Sequence, residues 1–210
     1  MPRDRGRQNH QMRTRTDHMR TRIAAVAARL MAEDGIDDFA MAKRKAARQL
    51  GAADTQSMPA NDEVEAELRA YHSLYQPDEQ RDRIRELRRI ALAAMHALAD
   101  FKPYLSGAVL KGTAGRYADI DLQLFTDDHK AVEMFLINRA VPYEAGVARH
   151  YCGDEPRAVT LLKLEWEGVP LNLAIYAAKD ERAALKTSPA GKPIDRAAAA
   201  AVAELAAADA

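Results

Sequence analysis

The chain has 210 residues, 48% apolar and 30% charged, and its basic and acidic side chains balance at a formal charge of zero. That length and mixture suit one sizeable, helix-rich globular domain, or a domain with a helical annex, burying an ordinary core. No apolar stretch approaches the roughly 18–20 residues of a membrane span and no secretion signal is visible, and Cys152, the single cysteine, excludes an internal disulfide and cannot alone make a zinc site, so the expectation is a cytoplasmic protein without a membrane partner.

The charge is unevenly spread. Residues 1–22 hold seven arginines (Arg3, Arg5, Arg7, Arg13, Arg15, Arg20 and Arg22) against Asp4 and Asp17, a surplus of five that the rest of the chain offsets. This segment reads as a basic, disordered arm, and its charge suits phosphate contacts with RNA. A first helix is expected over Thr21–Asp34, where Ile23, Val26, Ala27, Leu30 and Met31 recur at helical spacing before Gly35. DDFAMAKRKAARQLG predicts a second helix capped by Asp37 or Asp38 and ended by Gly51. A polar linker containing Pro59 leads to a third helix from Asn61 to just before Pro77. The fourth and longest, residues 77–101, has a charged first half and an apolar second half, which predicts an exposed start and a buried end.

Beyond Pro103 the hydrophobic period changes. YLSGAVLKG reads as a strand running into a turn, and DIDLQLF as a second strand. Residues 128–139 read as helix, VPYEAGVARHY as strand, and TLLKLEWEGVPLNLAIY as a hairpin turning at Glu167 and Gly168. Residues 177–192 are polar, and an alanine-rich helix ends the chain.

The chemistry concentrates in GTAGRYADIDLQLF, residues 112–125. Asp119 and Asp121 are separated by one residue, so on an extended strand both point to one face. Two like charges held that close repel, and a divalent cation between them would offset the repulsion. The six histidines form no metal-like cluster, and neither a phosphate-binding GxxxxGK[ST] loop nor a GxSxG nucleophile elbow occurs.

Over residues 100–177, strand, Gly-Thr turn, Asp-x-Asp strand, helix and late hairpin together resemble the nucleotidyltransferase superfamily of the DNA polymerase beta-like fold. ADIDLQLF is similar to the SDIDLLV of its minimal members. The resemblance implies an α+β (α/β) fold with a nucleotidyltransferase-like mixed β-sheet and flanking helices, preceded by an α-helical N-terminal region. It implies Mg²⁺ (or Mn²⁺) held by Asp119 and Asp121, an NTP whose phosphates meet Gly112 and Thr113, and transfer of a nucleoside monophosphate to an acceptor hydroxyl on RNA, a protein or a small molecule. Lys111 and Arg116 flank that turn as candidate phosphate contacts.

Two positions depart from the family pattern. Only five residues separate Thr113 from Asp119, and the third carboxylate is replaced by Asn172. An amide offers a carbonyl oxygen but no charge and no base. With Glu167 and Gly168 as the turn, Lys163 falls opposite Asn172, and Glu165 lies on the same face two residues away as a candidate for the missing charge. The domains are then an arm over 1–22, a helical region over 23–101 and the nucleotidyltransferase-like α/β domain over 102–210. Asn172 keeps open a catalytically inactive nucleotide- or RNA-binding module on the same fold. The opening helices, RIAAVAARLMAEDGIDDFAMAKRKAARQLG, also resemble those of TetR-type DNA-binding regulators, without a clear recognition helix after Gly51.

Overall fold

A computed structural model describes residues 5–36, 38–53, 57–75, 77–115, 117–189 and 191–208. Arg3, Asp4, Asp37 and Arg116 lie outside the described residues. Residues 1–80 and residues 81–210 form two compact units.

The first unit is helical. Helix α1 runs over Arg5–Asp34 and so takes in most of the basic segment expected as a disordered arm. Between Arg7 and Asp34 nothing interrupts it, because that stretch contains neither glycine nor proline. Helix α2, Phe39–Gln49, is capped by Asp38, whose carboxylate accepts from the Met41 amide at 2.5 Å, satisfying an amide at the open end of the helix. Helix α3 covers Asn61–Tyr75. Ile23, Ala27, Leu30 and Met31 of α1 share a buried cluster with Ala42, Ala46 and Ala47 of α2 and Val64 and Leu68 of α3. Small alanines on α2 let the helices approach closely, and apolar side chains at helical spacing then exclude water.

Helix α4, Pro77–Ala97, gives its apolar stripe to the second unit. Ile84, Leu87, Ile90, Ala91, Ala94, Met95 and Leu98, spaced three and four apart, lie in the core of the second unit. Burial begins within the charged half of α4, since Ile84, Leu87 and the side chain of Arg88 are all buried.

The second unit is built on a sheet of seven strands in the order β6-β3-β4-β5-β2-β1-β7. Strand β1 covers Tyr104–Ser106 and is followed at once by a short helix α5, Gly107–Lys111. The expected strand into a turn over 104–112 is therefore corrected to a three-residue strand and one turn of helix. Ser106 is extended, Gly107 turns the chain at φ +71°, and Gly112, at φ +72°, ends α5 in the left-handed region. Strand β2 is Ile120–Phe125, helix α6 His129–Asn138 with Asp128 as its cap, and β3 Tyr143–Cys152. Strands β4, Glu155–Trp166, and β5, Val169–Tyr176, form the hairpin predicted from sequence. Its two turn residues, Glu167 and Gly168, both have positive φ, the combination that a type I′ hairpin turn requires. Two short strands, β6 at Leu185–Lys186 and β7 at Arg196–Ala198, line the outer edges, and helix α7, Ala199–Ala208, follows.

Most neighbouring strands are antiparallel, but β2 and β5 are parallel. Alternation divides the sheet into two faces. Leu122 and Leu124 of β2, Leu171, Leu173 and Ile175 of β5, and Leu162 and Leu164 of β4 join the stripe of α4 in the main core. The opposite face carries Asp121, Gln123 and Phe125 on β2 and Asn172, Ala174 and Tyr176 on β5, and only its far end closes over a small cluster of Phe125, Val159, Tyr176 and Leu185. The near end is where Asp121 and Asn172 meet. Among the described residues, no helix is long and apolar enough to cross a membrane.

Candidate functional site

Parallel pairing of β2 with β5 sets Asp121 directly across from Asn172. Asp119 sits just before β2, two residues back and on the same side. The Asn172 Nδ2 donates to Oδ2 of Asp119 and to Oδ1 of Asp121, each at 3.0 Å. An amide nitrogen carries two protons, one for each carboxylate. Its orientation follows from those partners, because the amide oxygen turned the same way would face two carboxylate oxygens. The three side chains thus converge on one point, and the third member is a hydrogen-bond donor where a carboxylate would repel.

Lys163 of β4 pairs with Asn172 in the register expected from the turn. Glu165 pairs with Pro170, two residues further along the same face, where it is exposed. It does not line the cleft described below, so the structure does not bring the candidate replacement carboxylate to the site.

The chain turn beside the carboxylates is Ser106–Gly107. Ser106 pairs with Asp121 across β1 and β2, and its hydroxyl donates to the Asp121 carbonyl at 3.3 Å. Gly107 lies so near that a Cβ in its place would collide with Oδ2 of Asp121. Gly112 and Thr113 stand at the other end of α5 and do not line the cleft. Gly112 ends the helix beside Arg88, whose Nε and Nη2 donate to the carbonyls of Val109 and Leu110 at 3.2 and 2.9 Å. Thr113 is buried, its amide donating back to Ala108 at 2.9 Å. Their place in the fold is to close α5, and Lys111, half-buried at its last position, likewise does not line the cleft.

A cleft of about 340 Å³ opens on this face of the sheet. Its polar end is formed by Ser106, Gly107, Asp121, Asn172 and Lys163. The rest of the lining is largely apolar and aromatic, with His150, Leu161, Ala174, Tyr176 and Ile194, and carries Gln123 and Thr187 as polar side chains. His150 Nδ1 and the Tyr176 hydroxyl share a hydrogen bond of 2.6 Å. Burial pulls the pKa of His150 down and pushes that of Tyr176 up, the latter against the opposing charge of Arg196. Both shifts favour the uncharged form, so the pair presents a neutral wall at neutral pH. Nearby, burial and then the charge of Asp180, which accepts from the thiol at 3.6 Å, raise the pKa of Cys152, which disfavours a thiolate nucleophile there.

An open cleft with charge at one end and a neutral aromatic wall at the other can hold an amphipathic ligand with an anionic group and a flat ring. Sequence reasoning missed Ser106, Gly107, Gln123, His150 and Tyr176. Two of them were within reach of the period-two rule that found the aspartates, since Gln123 follows Asp121, and Tyr176 follows Asn172, on the same face. Compared with protein-family models, with curated proteins and with solved structures, the chain matches none.

Proposed function

We propose that the second unit is a metal-dependent nucleotidyltransferase that moves a nucleoside monophosphate from an NTP to an acceptor hydroxyl, on a nucleotidyltransferase-like mixed sheet. The observation that carries this reading is the convergence of Asp119, Asp121 and Asn172, the last two of which line a cleft large enough for a small ligand. The donor set fits Mg²⁺ (or Mn²⁺): one nitrogen lies 3.0 Å from an oxygen of each aspartate, so the two carboxylates already face a common point, and Mg²⁺ is commonly held by one or two carboxylates together with substrate phosphates. Among the described residues no group of three or more His, Cys, Asp or Glu is placed to hold a metal, so substrate oxygens would complete the coordination.

Asp119 and Asp121 would hold the ion, which when bound supplies charge neutralisation at the phosphates and polarises the reacting phosphorus. The remaining work falls to the chain. Gly107, without a Cβ, lets the backbone approach a phosphate closely, and Lys163 offers a cation on the cleft wall. In the transfer itself the acceptor oxygen forms a bond to the α-phosphorus, the bond from that phosphorus to the β-phosphate bridge breaks, and pyrophosphate leaves with the electron pair. The acceptor proton passes to a carboxylate of the pair or to water, because Asn172 cannot take it. RNA is the acceptor best matched by the surplus of five positive charges in residues 1–22.

One observation favours a second reading on the same fold. Asn172 joins the two aspartates by donating to both and supplies no base where a third carboxylate would, as a nucleotide-binding module without transfer activity would. Both readings require Mg²⁺-dependent NTP binding that is lost in the Asp119→Asn, Asp121→Asn double variant while its circular dichroism is unchanged. Binding unaffected by those exchanges would dismiss both.

A further inference from the structure

Gln123 is a buried polar side chain of the cleft with an unsatisfied atom. It lies on β2, two residues beyond Asp121 and on the same face, and is only 3% exposed. Its Oε1 is buried without a hydrogen-bond partner among the described residues. A buried carboxamide oxygen left unpaired is costly, so a glutamine at this position of β2 calls for a partner. Leucine would fill the same volume without that cost.

The surroundings indicate what would satisfy it. Gln123 lines the cleft beside Ala174, its partner across β2 and β5, and the neutral aromatic pair of His150 and Tyr176. The small side chain of Ala174 leaves room over the strand. A ligand there meets apolar and ring surfaces plus one carboxamide, which offers an acceptor and donors in one plane. Nucleobase edges present a donor and an acceptor side by side, and a glutamine pairs with such an edge through two parallel hydrogen bonds.

We infer that Gln123 is a specificity residue that reads the edge of a nucleobase lodged over Ala174 and against Tyr176, with the phosphates of the same nucleotide directed toward Asp121. The inference deepens the proposed function and rests on it. Gln123 makes the choice among bases, whereas the carboxylate end binds the phosphates of any nucleotide.

The test measures equilibrium binding of ATP, GTP, CTP, UTP and inorganic tripolyphosphate, each with Mg²⁺, to the full chain and to Gln123→Leu. The unaltered chain should prefer one base over the weakest by roughly tenfold or more, the scale of a two-bond base contact. In Gln123→Leu that preference should collapse to within about twofold, while tripolyphosphate binds as before and the melting temperature is equal or higher. A second variant, Ala174→Leu, fills the base position and should weaken every NTP without weakening tripolyphosphate. Retention of the base preference in Gln123→Leu, or of NTP affinity in Ala174→Leu, overturns the inference and leaves the proposed function standing. Failure of the unaltered chain to bind either NTP or tripolyphosphate would overturn both.

Discussion

Asn172 is the residue on which the chemistry turns. Two hydrogen bonds from one amide tie the two carboxylates together. Asn172→Ala removes both donors and leaves the carboxylates facing each other. A loss of roughly 1.5–3 kcal/mol per charged hydrogen bond sets the scale, read as a lower denaturant midpoint. Asn172→Asp should lower the melting temperature more in the absence of divalent ions, because three carboxylates then share one point, and Mg²⁺ should restore more stability to it than to the unaltered chain. An Asn172→Asp chain as stable as the parent and indifferent to Mg²⁺ would contradict a cation site. His72, in the first unit, gives a separate test at this scale. It is buried, both ring nitrogens lack a partner among the described residues, and burial pulls its pKa below the usual 6.5. The unfolded chain therefore takes up a proton where the folded one does not. Stability is intact above about pH 6.5 and erodes as the pH falls from there toward the depressed folded value. His150 is shifted in the same direction in the second unit. In His72→Leu the gap between melting temperatures at pH 7 and pH 5 should narrow, and an unchanged gap would show that His72 does not titrate on unfolding.

Among the elements, the hairpin of β4 and β5 was the most legible in sequence. Alternating apolar positions, a Gly at the turn and β-rich composition all agree there, and the register they imply places Lys163 opposite Asn172 as found. The segment 104–112 was the least legible. A five-residue helix is too short to display a 3.6-residue period, and its Ala-Val-Leu run reads equally well as strand, so the turn that borders the carboxylates was assigned to Gly112–Thr113 rather than to Ser106–Gly107. Strands β6 and β7 escaped notice for the same reason, being two and three residues long at the edges of the sheet. The importance of the Ser106–Gly107 turn can be measured. Gly107 sits at φ +71° against Asp121, so Gly107→Ala should cost about 1–2 kcal/mol of stability from the left-handed backbone alone. It should also push the Asp121 side chain aside, weakening Mg²⁺-dependent NTP binding. Gly112→Ala shares the backbone cost, with its Cβ an ordinary 3.6 Å from Arg88 Nη2, and should leave NTP binding intact. Equal effects of the two substitutions on binding would mean that α5 as a whole, and not the Gly107 turn, shapes the site.

For the molecule as a whole, composition and period indicated a helical region over 23–101 followed by an α/β region over 102–210, whereas the two compact units are residues 1–80 and 81–210. What composition could not indicate was that α4 belongs with the sheet. Its polar first half reads as solvent-exposed, yet Ile84 and Leu87 enter the core of the second unit and Arg88 caps the carbonyls of α5. A chain starting at Pro77 keeps all of α4 and every residue of the cleft. It should fold cooperatively and bind NTP with Mg²⁺ as the full chain does, whereas a chain starting at Lys102 loses that stripe and should not fold. The measurement that bears most directly on the central claim is label transfer. The purified 210-residue chain is given each α-labelled NTP with Mg²⁺ or Mn²⁺ and offered total RNA and total protein, in parallel with the Asp119→Asn, Asp121→Asn variant. The account predicts label on an acceptor, RNA foremost, that the variant does not produce. Label that persists in the variant, or no label on any acceptor from the unaltered chain, would contradict it.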